Sequence, residues 1–149
     1  MRALTKFFAV PGLRLGYGIY FDKTIQPALS MKKEPWSVNS FADIAGKVML
    51  KDEKYIADTE EWIDKEKKWF YDECSKINKI KAYKTNTNFI LIKLIADTAE
   101  NVKAKMLEKD ILVRDASNFV GLDEHYIRLA IKDRENNIRV LNALKEVVE

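Results

Sequence analysis

The sequence is poor in the residues that build metal centres and covalent cross-links. Its single cysteine, Cys74, cannot close an internal disulfide. With no apolar run followed by a small-residue cleavage site near the N-terminus, the chain reads as cytoplasmic. Its single histidine, His125, leaves a histidine-cluster metal site or a histidine-based triad without ligands, so no metal is expected. No apolar run approaches the roughly 18 residues of a membrane-spanning helix, and no membrane partner is expected. Neither sign of charge dominates. The 26 basic and 23 acidic residues, net charge +3, describe a mixed solvated surface and not a nucleic-acid patch. There is no internal repeat and no low-complexity tract.

What remains is a chain of 149 residues, 47% hydrophobic and 33% charged, enough for a folded domain with a real core. It opens directly into an apolar, glycine-punctuated stretch over 7–20. That is expected of a chain that begins inside a larger fold, because domains more often start with a polar lead-in.

Residues 15–21 (LGYGIYF) read as a buried strand carrying Gly16 and Gly18, where glycine marks close backbone approach. Asp22 is an N-cap candidate for a short helix to about 29, and Pro35 ends any helix there. Ser37 or Asn39 caps a helix through about 50. A long helix follows over roughly 52–77, its apolar residues paired seven apart at Tyr55/Ile56, Trp62/Ile63 and Trp69/Phe70. This is a narrow stripe, with Lys65-Glu66-Lys67-Lys68 read as a solvated face. Residues 80–85 and 88–94 read as strands around a turn at Asn86. Asp97 or Thr98 caps a helix to about 109. Short strands are expected at 111–114 and 125–131, separated by a loop. Asp133 caps a last helix with Ile138, Leu141, Leu144 and Val148 inward. The order strand, strand, helix, strand, strand, helix from residue 80 gives a two-layer α/β (α+β) domain. Cys74 and the three tryptophans are expected in the core, and His125 at a strand edge.

The stretch that carries chemistry is Leu4-Thr5-Lys6-Phe7-Phe8-Ala9-Val10-Pro11-Gly12-Leu13-Arg14-Leu15-Gly16-Tyr17. The segment resembles the lysine segment of fold-type I pyridoxal-phosphate (PLP) enzymes, the class I/II aminotransferases. There the lysine binds the aldehyde of PLP covalently, and an arginine eight residues on, inside a glycine–hydrophobic–arginine–hydrophobic–glycine–aromatic string, binds the cofactor phosphate. A lysine in that role must be neutral to attack the aldehyde, which a dry or cationic surround favours. Phe7, Phe8 and Val10 could supply the first and Arg14 the second. A planar guanidinium suits a phosphate dianion, and glycines allow close backbone approach. The resemblance implies Lys6 as catalytic residue, with Lys6, Arg14 and Thr5 as cofactor contacts. Ala3 departs from it, standing where the family has a hydroxyl residue on the phosphate. Such a lost hydrogen bond to a charged group costs roughly 1.5–3 kcal/mol.

A second region, 111–119 with 126–130, completes the resemblance. The family grips the substrate carboxylate with an arginine in a strand of the type of Tyr126-Ile127-Arg128-Leu129-Ala130. From residue type alone, Arg128 would instead pair with a carboxylate such as Asp115 or Glu124. Arg114 resembles the second arginine of members that act on phosphorylated amino acids, and Asn118 is expected beside it at the substrate. Val10-Pro11-Gly12-Leu13-Arg14, Pro35-Trp36-Ser37-Val38-Asn39 and residues 113–119 look most like threonine-phosphate decarboxylase of cobalamin biosynthesis. Histidinol-phosphate aminotransferase shares the architecture.

The resemblance spans nearly the whole chain. It implies a tail of the PLP-binding large domain over 1–34 and the small C-terminal domain, with its long linking helix, over 35–149. The family's remaining cofactor contacts lie upstream of the lysine. The isolated chain is therefore expected to be a fragment without activity of its own, and PLP to be weakly held by it or not at all. The expected partners are a phosphorylated amino-acid substrate and either a second copy, as a homodimer, or the missing N-terminal half. The expectation from a different class is a non-catalytic association module, with Phe7, Phe8, Leu13 and Tyr17 uncovered.

Overall fold

The computed structural model describes residues 2–149. The chain divides into two compact units, Met1–Thr59 and Glu60–Glu149.

In the first unit, strand β1 (Arg2–Ala3) pairs antiparallel with β2 (Gly16–Tyr17), Ala3 opposite Gly16. Between them run a single helical turn, α1 (Leu4–Phe7), and a 3-10 turn at Pro11–Leu13. Leu4 N–H donates to the Leu15 carbonyl at 3.1 Å, so residues 4–15 form a closed loop. A Cβ on Gly16 would lie 2.9 Å from the Arg2 carbonyl oxygen, which is why this position takes glycine. The strand expected over 15–21 shrinks to these two residues and is exposed, with Phe21 94% accessible. Among the described residues its ladder partner is itself two residues long, so no further pairing extends it there.

Two helices complete this unit. Asp22 does not cap α2 (Ile25–Lys32) directly; its Oδ1 accepts from Thr24 N–H at 2.8 Å, and Thr24 is the cap. Asn39 caps α3 (Ser40–Met49), its Oδ1 accepting from Ala42 N–H at 2.8 Å. The same side chain donates to the Leu13 carbonyl at 3.4 Å, tying α3 to the 4–15 loop. Gly46 lets α3 approach Leu15, whose Cδ2 would sit 2.8 Å from an added Cβ. Asn39→Ala is expected to cost about 1 kcal/mol, the usual loss of a cap, seen as a lower thermal midpoint, while Asn39→Asp retains most of it. Trp36, expected in the core, is 97% accessible. It sits in the left-handed region at φ 62°, and that turn carries its ring outward.

The long helix α4 runs Glu53–Cys74, started by Asp52 Oδ1, which accepts from Tyr55 N–H at 3.0 Å. In the second unit the sheet order is β3–β4–β6–β5, antiparallel throughout, with β3 at Ile80–Ala82, β4 at Phe89–Leu94, β5 at Arg114–Asp115 and β6 at Tyr126–Ala130. Helix α5 (Ala99–Leu107) is capped by Thr98 and α6 (Arg134–Val148) by Asp133. Alternation along β4 and β6 turns Ile90, Ile92, Leu94, Ile127 and Leu129 into one core with Phe70, Val102, Met106 and Leu144. The helices cover that face of the sheet, giving the two-layer α/β arrangement. Cys74 is fully buried here, and burial pushes its thiol up to about 12.

The structure departs from the sequence reading at three further points in this unit. The strand expected at 111–114 is only Arg114–Asp115, where pairing with β6 exists. Ile138 is 43% accessible, and Asn137 takes the inward position beside Leu141 and Leu144. Glu66, expected on a solvated face, is buried. Arg134 Nε donates to both Glu66 carboxylate oxygens at 3.1 Å and its Nη2 to one at 2.8 Å.

Candidate functional site

Lys6 lies in α1 and is exposed, whereas its neighbour Thr5 is buried, so the two face different surroundings. Arg14 is exposed and closes the 3-10 turn in the left-handed region at φ 51°, its Nη1 donating to the Pro11 carbonyl at 3.5 Å. Ala9 also sits at positive φ, 52°. Two such residues in one short loop are unusual away from glycine, each costing roughly 1–2 kcal/mol, and such strain tends to collect at functional loops. Lys6 and Arg14 are thus carried on one loop whose ends are closed by the β1–β2 pair. Phe7 and Phe8 do not wrap the lysine. Phe8 stacks on Tyr55 with ring centroids 5.3 Å apart, Phe7 meets the same ring edge-on at 6.2 Å, and the Tyr55 hydroxyl donates to the Phe7 carbonyl at 3.2 Å.

In the second unit Arg114 and Arg128 are directly opposite one another on β5 and β6. Like charges at facing positions repel, so this arrangement calls for an anion or for a carboxylate nearby. Among the described residues neither arginine forms a salt bridge. Asp115 turns to its own loop, its Oδ1 accepting from Ser117 N–H at 2.8 Å, and Ser117 holds the carboxyl below its ordinary value. Glu124 lies 3.6 Å from His125 Nε2. The Arg128 guanidinium stands over the Phe89 ring, 4.5 Å from its centroid, and Arg114 stands 5.8 Å from that of Phe119. Arg114 Nη2 donates to Asn118 Oδ1 at 3.5 Å. Arg114, Arg128 and Asn118 therefore share one patch. Phe89, which holds Arg128, was not singled out from sequence. The alternation of 89–94 marks it, since it puts Phe89, Leu91 and Lys93 on the side away from the core.

Comparison with known proteins shows what the chain is similar to. The family model described as "Aminotransferase class I and II" matches residues 1–144. A putative threonine-phosphate decarboxylase of Caldanaerobacter subterraneus subsp. tengcongensis is 46% identical over the whole chain, which covers 40% of that protein. The threonine-phosphate decarboxylase of Salmonella typhimurium is 34% identical over 99% of the chain, again 40% of the relative. Among solved structures, a histidinol-phosphate aminotransferase from Clostridium acetobutylicum superposes with a TM-score of 0.92 at 43% identity, over 98% of this chain and 44% of that one. The chain thus spans about 40% of the length of the curated relatives it matches. With the family model matching nearly its full length, the chain belongs to the class I and II aminotransferase family.

Proposed function

We propose that this chain is the C-terminal portion of a PLP-dependent threonine-phosphate decarboxylase. In this reading it contributes the lysine and the phosphate arginine of the cofactor site together with the substrate arginines. The observation that carries the reading is the unbridged cross-strand pair Arg114/Arg128 with Asn118 beside it. A substrate with a carboxylate and a phosphate on one small carbon frame supplies the anions that these facing cations lack. The 46% identity to a putative decarboxylase supports the same choice. The 43% identity to a histidinol-phosphate aminotransferase structure supports the alternative.

PLP is the cofactor expected of the family, and the donor set fits a phosphorylated aldehyde: a primary amine and a guanidinium, both exposed on one closed loop. When bound, it supplies an electron sink for charge developing at the substrate α-carbon. Lys6 Nζ would hold the aldehyde and later move a proton at the α-carbon. Arg14 would hold the phosphate. Arg128 would orient the substrate carboxylate, and Arg114 with Asn118 the substrate phosphate. Because the chain spans only part of its relatives, activity is assigned to its assembly with a polypeptide matching their remaining length, or to a homodimer of that whole. The chain alone would be inactive.

The test is to assemble the chain with the remaining portion of the Caldanaerobacter relative and add PLP. A visible absorbance band of lysine-held cofactor, lost in Lys6→Ala, is expected. CO2 release from L-threonine-O-3-phosphate should fall roughly 10- to 150-fold in Arg128→Gln, the loss of one charge-assisted contact. Amino transfer from histidinol phosphate without CO2 release would select the alternative. A band that persists in Lys6→Ala would remove the reading altogether.

A further inference from the structure

The face of the second unit's sheet turned away from the helices carries a second pair of facing like charges. The register sets Lys81 on β3 directly opposite Lys93 on β4, and Lys93 in turn opposite Tyr126 on β6. This row lies next to the row formed by Leu91, Arg128 and Arg114. Side chains two apart on a strand share a face, so both rows point the same way. Among the described residues neither lysine reaches a carboxylate, whereas on α4 Lys54, Lys65, Lys67 and Lys68 each pair with one.

Two aromatic rings frame the lysines. Lys81 Nζ is 5.2 Å from the centroid of Tyr83, Lys93 Nζ is 5.5 Å from that of Tyr126, and the two rings are 6.2 Å apart. The Tyr83 hydroxyl beside it pushes the Tyr126 phenol above its ordinary value, which keeps a proton on Tyr126. Two lysines at one cross-strand position, with Cβ atoms about 5 Å apart, bring two positive charges to one spot of the face, which matches a tetrahedral dianion better than a carboxylate with its single charge.

We propose that Lys81, Lys93, Tyr83 and Tyr126 form an anion subsite for a small phosphate-class dianion, distinct from the Arg114/Arg128 pair. This inference does not depend on which reaction the family member performs.

The experiment titrates the full chain with inorganic phosphate and then pyrophosphate at constant ionic strength. It follows backbone amide resonances and the thermal midpoint. Saturable shifts confined to residues 81, 83, 93 and 126, with a Kd on the order of millimolar, are expected. They should weaken at least about tenfold in Lys81→Gln/Lys93→Gln, the loss of about one charge-assisted contact, and survive in Arg114→Gln/Arg128→Gln. Lys93→Glu turns the like pair into an opposite pair. It should raise the midpoint at low salt while abolishing the phosphate response. Shifts that rise linearly across the surface, meaning ionic screening only, would overturn the proposal. So would a response that persists in the double lysine variant, a lowered midpoint in Lys93→Glu, or binding of an oligoglutamate peptide at this face that phosphate does not displace.

Discussion

Replacing Arg134 with alanine is expected to destabilise the Glu60–Glu149 unit by about 2–3 kcal/mol, a drop of roughly 10–20 °C in midpoint for a domain of this size. Glu66 is 7% accessible and holds three hydrogen bonds from Arg134 and a fourth from Asn137 Nδ2 at 3.1 Å. Asn137 in turn closes a reciprocal pair with the Lys132 backbone, at 2.7 and 2.8 Å. The Arg134 guanidinium also lies 3.9 Å from the centroid of Trp69. Removing it strands a buried carboxylate. The cost stays below the roughly 3–5 kcal/mol of fully buried pairs because the Arg134 side chain is 48% accessible and solvent screens it.

The pH dependence separates this from simple loss of packing. In the native chain Arg134 holds the Glu66 carboxyl below its ordinary 4.5. Its contribution is therefore fully present above that value and is lost as pH falls through the depressed one. In Arg134→Ala, burial outweighs the one hydrogen bond left from Asn137 and raises the carboxyl, so the variant loses stability as pH rises through 4.5. The gap between the two proteins should be wide at neutral pH and narrow at about pH 3–4. Glu66→Gln, which keeps an oxygen acceptor, should show a smaller loss and no such narrowing. Urea melts at several pH values measure both. A gap independent of pH would assign the effect to the Trp69 contact alone.

Why the sequence reading missed this cluster, while finding the caps around it, is a matter of range. Asn39, Thr98 and Asp133 cap their helices through hydrogen bonds to an amide three residues on, so sequence neighbours alone specify them. The family string around Lys6 and Arg14 was likewise legible, being contiguous. Glu66 sits in a run of lysines and looks solvated, yet Glu66, Phe70 and Cys74 are four apart and share one buried line of α4. Only the partner 68 residues away decides that a carboxylate belongs there. Arg114 and Arg128 were each visible as candidates. Their direct opposition depends on the β5–β6 register, which a loop between them conceals. The expected 15–21 strand failed for the converse reason. Its composition is strand-like, but a strand needs a neighbour, and among the described residues β1 supplies two residues of one.

Gly12 and Gly16 both belong to the string around Arg14, and the structure distinguishes them. A Cβ at Gly12 meets nothing within 4 Å, and Gly12 is not among the positive-φ glycines. A Cβ at Gly16 would meet the Arg2 carbonyl oxygen at 2.9 Å and Ala3 Cα at 3.7 Å. That obstacle is backbone, which cannot swing aside as a side-chain tip can. Gly16→Val should therefore part β1 from β2 and open the 4–15 loop, at about 1–3 kcal/mol, the usual range for overpacking. Trypsin reports this directly, because Lys6 and Arg14 are exposed cleavage residues inside that loop. If cutting follows the population of the opened state, such a loss raises the cleavage rate at both residues roughly 5- to 150-fold. Gly12→Ala should leave the rate within about twofold. Equal acceleration by both substitutions would mean that loop closure does not rest on the Ala3–Gly16 pairing. The common support for the amine and the guanidinium would then have to be sought in the Asn39–Leu13 hydrogen bond instead.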